Sequence, residues 1–229
     1  MRPVFVAASG MRAFRPFDPR WPLNPLVLTG WAAAGAGLAL GLRVLPPTRA
    51  LGAREWVASA VLTAALFAAA GWRFGWGIDF VAYSTFSLVV VPLALLDFVE
   101  QRLPSVLILA GLLALGAIFG LGAVLAAGYA DFLRAVAGMA VLGLAYLVLA
   151  LAVGGLGAGD VKLAGLLGLT LGWQSWTAVM VGTVAGWLLA AVARLALRAT
   201  GRMSRDAPMP LGPYLALGAL VTILGGLAH

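Results

Sequence analysis

The chain has 229 residues, of which 63% are hydrophobic and 10% charged. Soluble domains are nearer half apolar and a quarter charged, so the excess apolar surface reads as lipid-facing and the class as integral membrane protein. The formal charge of +7 would suggest nucleic acid in a soluble protein. Here the basic residues lie between apolar runs, where they serve as topology signals and headgroup contacts, so no nucleic-acid partner is expected. There is no cysteine, and the single histidine is His229. Disulfides, thiol nucleophiles and cysteine-based zinc sites are excluded, and a histidine triad or metal cluster nearly so. Chemistry is left to carboxylates, hydroxyls, backbone, arginine and Lys162, and neither cofactor nor metal is expected.

In chain order, residues 1–25 form a basic tail with Arg2, Arg12, Arg15 and Arg20. Its run Val4–Ala8 is too short for the apolar region of a secretory signal. Eight apolar segments follow, at 26–42, 56–71, 80–96, 105–127, 135–154, 161–173, 176–199 and 211–228. The reading is an all-α polytopic membrane protein with about eight transmembrane helices, forming one membrane-embedded domain over 26–229. Segment 161–173 is short for a bilayer core of about 30 Å. It is expected to be a half-helix shielded by its neighbours, because irregular backbone is not tolerated against lipid. The 30 glycines suit close helix approach.

Alternate loops divide the cations unevenly. Arg43, Arg49, Arg54, Arg102, Lys162, Arg194, Arg198, Arg202 and Arg205 fall on one side, and Arg73 and Arg134 on the other. The positive-inside rule puts the first set in the cytoplasm. The basic tail then falls outside, against the rule.

Eight acidic residues remain to be placed. Asp18, Glu55 and Asp206 lie in polar linkers, while Asp79 and Asp131 read as solvated loop residues on the outer side. Asp97 and Asp160 differ. Asp97 ends the run Val89–Leu96, where a carboxylate is costly. Pro104, shortly after it, suits the first turn of the next helix. Asp160 follows Gly154, Gly155, Gly157 and Gly159, a poor helix interior, so the chain is expected to unwind there and Asp160 to cap the next helix. Alone, each could be a boundary residue. Both lie toward the cytoplasmic side, however. Two carboxylates about 3 Å apart cannot both ionise; one would take a proton from water while its protonated partner bonds the scissile carbonyl. Lys162 would favour ionisation nearby, or it simply snorkels to the interface.

Three stretches carry a family resemblance: Leu96–Pro104 with its aspartate and later Leu-Pro step, Gly157-Ala158-Gly159-Asp160-Val161-Lys162, and Pro210-Leu211-Gly212-Pro213. Together they resemble the type IV prepilin peptidases, which are GxGD intramembrane aspartyl proteases. The likeness runs over about residues 80–228, with Leu211 where the family usually has Phe. It implies that Asp97 and Asp160 are the catalytic pair, and that prepilins or pseudopilins are the substrates. These lose a short basic leader after a glycine, before the apolar pilin helix. It also implies a bacterial cytoplasmic (inner) membrane location with the site toward the cytoplasm. Arg102, Pro104, Gly157, Gly159, Lys162, Pro210, Gly212 and Pro213 are then expected to shape loops or touch substrate.

Larger family members carry a cysteine-motif loop domain and N-methylate the new terminus. The corresponding loop here is only about Arg43–Glu55, so the likeness is to the short form and methylation is not expected. Presenilin-type GxGD proteases usually have Tyr before the first aspartate, where this chain has Leu96. Two other classes stay open: a proton-coupled transporter, which also uses intramembrane aspartates and broken helices, and a non-catalytic membrane assembly subunit.

Overall fold

The structure, a computed structural model, describes residues 25–45, 48, 51–126, 128–153, 156–202, 204 and 209–226. The basic tail up to residue 24, Arg49, Gly154, Gly155, Arg205, Asp206 and His229 therefore lie outside the described residues. Eight α-helices make up the described chain: α1 (Pro25–Gly41), α2 (Ala53–Phe74), α3 (Ile78–Glu100), α4 (Ser105–Ala126), α5 (Tyr129–Val153), α6 (Ala158–Gln174), α7 (Trp176–Ala199) and α8 (Gly212–Gly225). A single 3-10 turn, Leu42–Val44, follows α1. All eight expected segments are present as helices. The protein is an all-helical, multi-pass membrane protein.

Six helices are long and apolar enough to cross a bilayer, namely α1 (continued through the 3-10 turn), α2, α3, α4, α5 and α7. The other two are shorter. Helix α6 has 17 residues, or about 25 Å at 1.5 Å per residue. Its shielding follows the expectation, since every residue from Leu163 to Trp173 is buried. Helix α8 has 14 residues and opens with Pro213 in its first turn, where proline's missing N–H costs nothing.

Glycine decides which helices touch most closely. A Cβ on Gly172 of α6 would lie 2.9 Å from the Arg134 carbonyl oxygen and 3.0 Å from the Ala135 Cα of α5. Gly168 of α6 faces Gly138 of α5 in the same way. Backbone thus packs on backbone, which membrane helices need because lipid supplies no hydrophobic drive between them. Gly186 of α7 meets Leu215 of α8 by the same means.

The main core joins residues of α3 to α8. The α1–α2 hairpin is attached to α3 by two smaller apolar clusters, one at each end, and Leu66 and Phe74 of α2 also pack against the main core. Trp31, Ala70 and Phe80 form the first, and Leu51, Trp56 and Leu96 the second.

The two ends of the bundle differ in composition. Trp72, Trp76, Tyr129 and Trp176 are exposed at the end where α2, α4 and α6 finish, as a membrane-interface aromatic belt requires. Asp97 and Asp160 lie at the other end, where α3 finishes and α6 starts.

Candidate active site

Asp97 sits one turn before the end of α3 and is 5% exposed. Helix α3 stops there because Gln101 takes a left-handed conformation, φ 53° and ψ 34°, while its N–H bonds the Asp97 carbonyl at 3.1 Å. A non-glycine residue adopts that conformation only at a cost. The Asp97 carboxylate accepts a hydrogen bond from the Gly212 N–H at 2.9 Å, in a buried setting. Gly212 is the first residue of α8, so this donor is one that the helix's own ladder leaves unpaired, at the end where the dipole favours an anion. Glycine is needed at 212 for space. A Cβ there would lie 2.8 Å from Asp97 Oδ2 and 3.3 Å from Leu163 Cδ2.

Leu163 stands three residues after Asp160, so α6 reaches the Asp97 carboxylate through the same small position. Asp160 does not cap α6 as expected. The cap is Gly157, in an extended conformation with φ −78°. Glycine has no side chain to serve that purpose. Asp160, at the third helical position, instead reaches back and accepts the Gly157 N–H at 2.9 Å. This is the carboxylate half of a capping box. The expected unwinding also ends earlier than Asp160, because α6 already begins at Ala158. Gly159 lies inside its first turn, where a Cβ would fall 2.8 Å from Leu103 Cβ. That close approach seats the start of α6 on the α3–α4 loop. Among the described residues no cation pairs with either carboxylate.

The remaining candidates separate into those near the carboxylates and those beside them. Gly157, Gly159 and Gly212 make the contacts just described. Pro210 and Pro213 flank the α8 start, at its approach and in its first turn. Pro104 precedes α4 rather than lying in its first turn. Its carbonyl accepts from Leu107 and Ile108, which makes it the capping residue. Lys162 donates to Ser105 Oγ at 2.6 Å, tying the start of α6 to the start of α4 in an exposed position. Arg102 is exposed on the α3–α4 loop.

Other neighbours were not legible in the sequence. Tyr146 of α5 is 4% exposed, and its ring lies 6.2 Å from that of Trp187 of α7, centroid to centroid. It lines a narrow crevice with Ala164 and Leu167 of α6, Thr183 of α7 and Leu215 of α8. Ala164 and Leu167 continue the helical face that carries Asp160, at spacings of four and seven. A tyrosine inside an apolar run looks like a core residue, and only the α5–α6 packing brings it here.

At the opposite end the expectation of solvated aspartates is overturned. Asp131 is buried and pairs with Arg134 at 2.9 Å. Arg134 also donates to the carbonyls of Gly172, Trp173 and Gln174, at 2.8, 2.7 and 3.1 Å, closing the C-terminus of α6. Asp79 accepts the Trp173 indole N–H at 2.9 Å. The end of a short, enclosed helix presents unpaired carbonyls, and the Arg134 guanidinium satisfies them.

The sequence profile of the type IV leader peptidase family matches residues 83–196, a stretch that contains both Asp97 and Asp160. The chain belongs to this family. It is similar to a prepilin leader peptidase/N-methyltransferase of Bacillus subtilis, with 32% identity over 169 residues, covering 74% of this chain and 65% of the relative. A Pseudomonas putida protein of the same description is 30% identical over 157 residues, covering 68% of this chain and 53% of the relative. One from Burkholderia pseudomallei is 40% identical over 73 residues, 31% of this chain and 22% of the relative. The chain thus spans roughly half to two thirds of the first two relatives. No solved structure gives a significant match. The family profile leaves α1, α2 and α8 outside its range, so the bond from Gly212 to Asp97 is known here from geometry alone.

Proposed function

We propose that the protein is a membrane aspartic endopeptidase that removes the leader of a prepilin or pseudopilin, with Asp97 and Asp160 as its catalytic pair. The observation that carries this reading is their placement. Two carboxylates without a cationic partner among the described residues stand at one end of the bundle, on helices within the family-matched stretch. Leader removal by the relatives is the activity their names print.

In this reading one carboxylate, ionised, takes a proton from a water molecule, and that water attacks the carbonyl of the scissile peptide bond. The other, protonated, donates to the carbonyl oxygen and stabilises the charge that develops there. Collapse of the tetrahedral intermediate breaks the C–N bond as a proton passes to the leaving amine. The Gly212 N–H orients Asp97, and the Gly157 N–H orients Asp160. Both donors are backbone, so the carboxylates are held without being neutralised.

The location proposed is the bacterial cytoplasmic membrane with the site facing the cytoplasm. Arg43, Arg54, Arg102, Lys162, Arg194, Arg198 and Arg202 lie at the Asp97–Asp160 end, against Arg73 and Arg134 at the other. The proposal covers the peptidase part of the relatives' name and does not extend to methyl transfer. The test is leader removal from a prepilin in membranes that contain the full chain, analysed by the mass of the processed product. Retention of the intact leader with a correctly inserted wild-type chain would overturn the reading.

A further inference from the structure

The seam between α2 and α3 has apolar ends and a polar middle. At one end Phe67 of α2 packs on Phe80 of α3, ring centroids 6.5 Å apart. At the other, Trp56 of α2 packs with Leu96, and Leu95 joins them. Between these contacts the same face of α2 carries Ser59 and Thr63, both fully buried. The face of α3 that begins at Phe80 continues, at helical spacing, through Ser84, Ser87 and Val91 to Leu95. Ser84 and Ser87 are buried as well.

Hydroxyls inside a membrane helix usually bond the carbonyl one turn back. In this protein Ser87, Thr170, Thr183 and Thr222 do so, at 2.7–2.9 Å. Ser59 Oγ, Thr63 Oγ1 and Ser84 Oγ do not, and no protein atom bonds them. The Trp56 indole N–H is in the same position. Pro92 adds an acceptor, because it has no N–H to give the Leu88 carbonyl. Leu88 lies on the side of α3 that holds Ser84 and Val91, four residues from one and three from the other. Three hydroxyls and an indole N–H are thus buried without a protein partner, and lipid can satisfy none of them.

We propose that the α2–α3 seam holds a file of ordered water, bound by Ser59, Thr63, Ser84, the Trp56 indole and the Leu88 carbonyl. Water is the smallest partner that both donates and accepts, and a buried water needs two to four polar neighbours. Ser59 and Thr63 of α2, Ser84 of α3 and the carbonyl that Pro92 releases supply that number. The apolar clusters at the two ends close the file off from lipid and from bulk solvent. Part of the seam that joins the α1–α2 hairpin to α3 is then hydrated, beside the dry contact that Leu66 makes with the main core. The inference does not depend on the peptidase reading.

Two measurements on the full chain test it. An experimental structure at a resolution that shows solvent should place at least two waters within hydrogen-bond distance of Ser59, Thr63 and Ser84. Hydroxyls rotated onto the carbonyls one turn back, with no solvent density between the helices, overturn the proposal. Thermal unfolding in detergent gives the second test, with the double variant Ser59→Ala, Thr63→Val. Removing hydroxyls that hold water strips those waters of partners and lowers Tm by several degrees. Removing hydroxyls that were buried and unbonded relieves a desolvation cost instead, so an unchanged or raised Tm overturns the file.

Discussion

The two ends of α6 treat aspartate in opposite ways. At the C-terminal end, Asp131 is paired with Arg134, and Asp79 holds the Trp173 indole. Charge and hydrogen-bonding capacity there are spent within the fold. At the N-terminal end, Asp97 and Asp160 receive one backbone N–H each and, among the described residues, no cation. The same residue type is structural where a counter-charge meets it, and chemically available where only backbone dipoles do. A strongly paired carboxylate resists protonation and cannot shuttle a proton. A carboxylate oriented by an amide keeps that capacity.

The largest effect expected from this contrast comes at the N-terminal end. Asp97→Asn and Asp160→Asn should each lower leader cleavage by at least about 10³-fold, since either change removes the acid–base pair. Membrane insertion should be unaffected, which protease protection of the loops would check. Substantial cleavage by either variant would end the dyad reading.

Next in size is Gly212→Ala. Its new Cβ would sit 2.8 Å from Asp97 Oδ2 and displace that carboxylate. A shift approaching 1 Å costs on the order of 10²-fold in kcat, with KM little changed. Wild-type kinetics from this variant would show that Asp97 need not be held where α8 holds it.

Arg134→Ala sharpens the contrast from the other side. It strands Asp131 and three carbonyls of α6, so the fold should lose about 1.5–3 kcal/mol. Turnover per folded molecule should change far less than it does for Gly212→Ala. Denaturation in detergent, with the activity of the folded fraction measured in parallel, separates the two quantities.

The smallest effect is assigned to Lys162. Its ammonium bonds Ser105 Oγ in an exposed position, where such an interaction contributes under about 1.5 kcal/mol. Lys162→Met and Ser105→Ala should therefore lower cleavage by similar and small factors, about threefold or less. A tenfold loss for Lys162→Met alone would mean that the ammonium acts on substrate or on Asp160 rather than on α4.

All eight segments could be read from the amino-acid order, because lipid forces every spanning backbone into a helix and every such helix into an apolar run. Asp97 and Asp160 stood out for the same reason, as carboxylates at the edge of long hydrocarbon stretches. The partners of charged groups were not readable in this way. Asp131 looked like a loop residue, since nothing near it in sequence predicts that Arg134 reaches across to the end of α6. Asp160 looked like a cap, since the preference for Asp at that position is local, whereas its reach back to Gly157 depends on where α6 begins.

Composition and periodicity by themselves thus determined a multi-pass helical membrane protein and its spans, while the motif resemblance singled out the two acids on which its chemistry is proposed to rest. Tertiary structure alone decided that the Gly212 N–H, 115 residues away, holds Asp97. It also decided that Tyr146 lines a crevice with Ala164 and Leu167 of α6, and that Ser59, Thr63 and Ser84 are buried without a hydrogen-bond partner. The physical reason is that burial in lipid acts on each residue separately and so leaves its mark in sequence. Hydrogen bonds and close glycine contacts act between residues, and these exist only once the helices have chosen their neighbours.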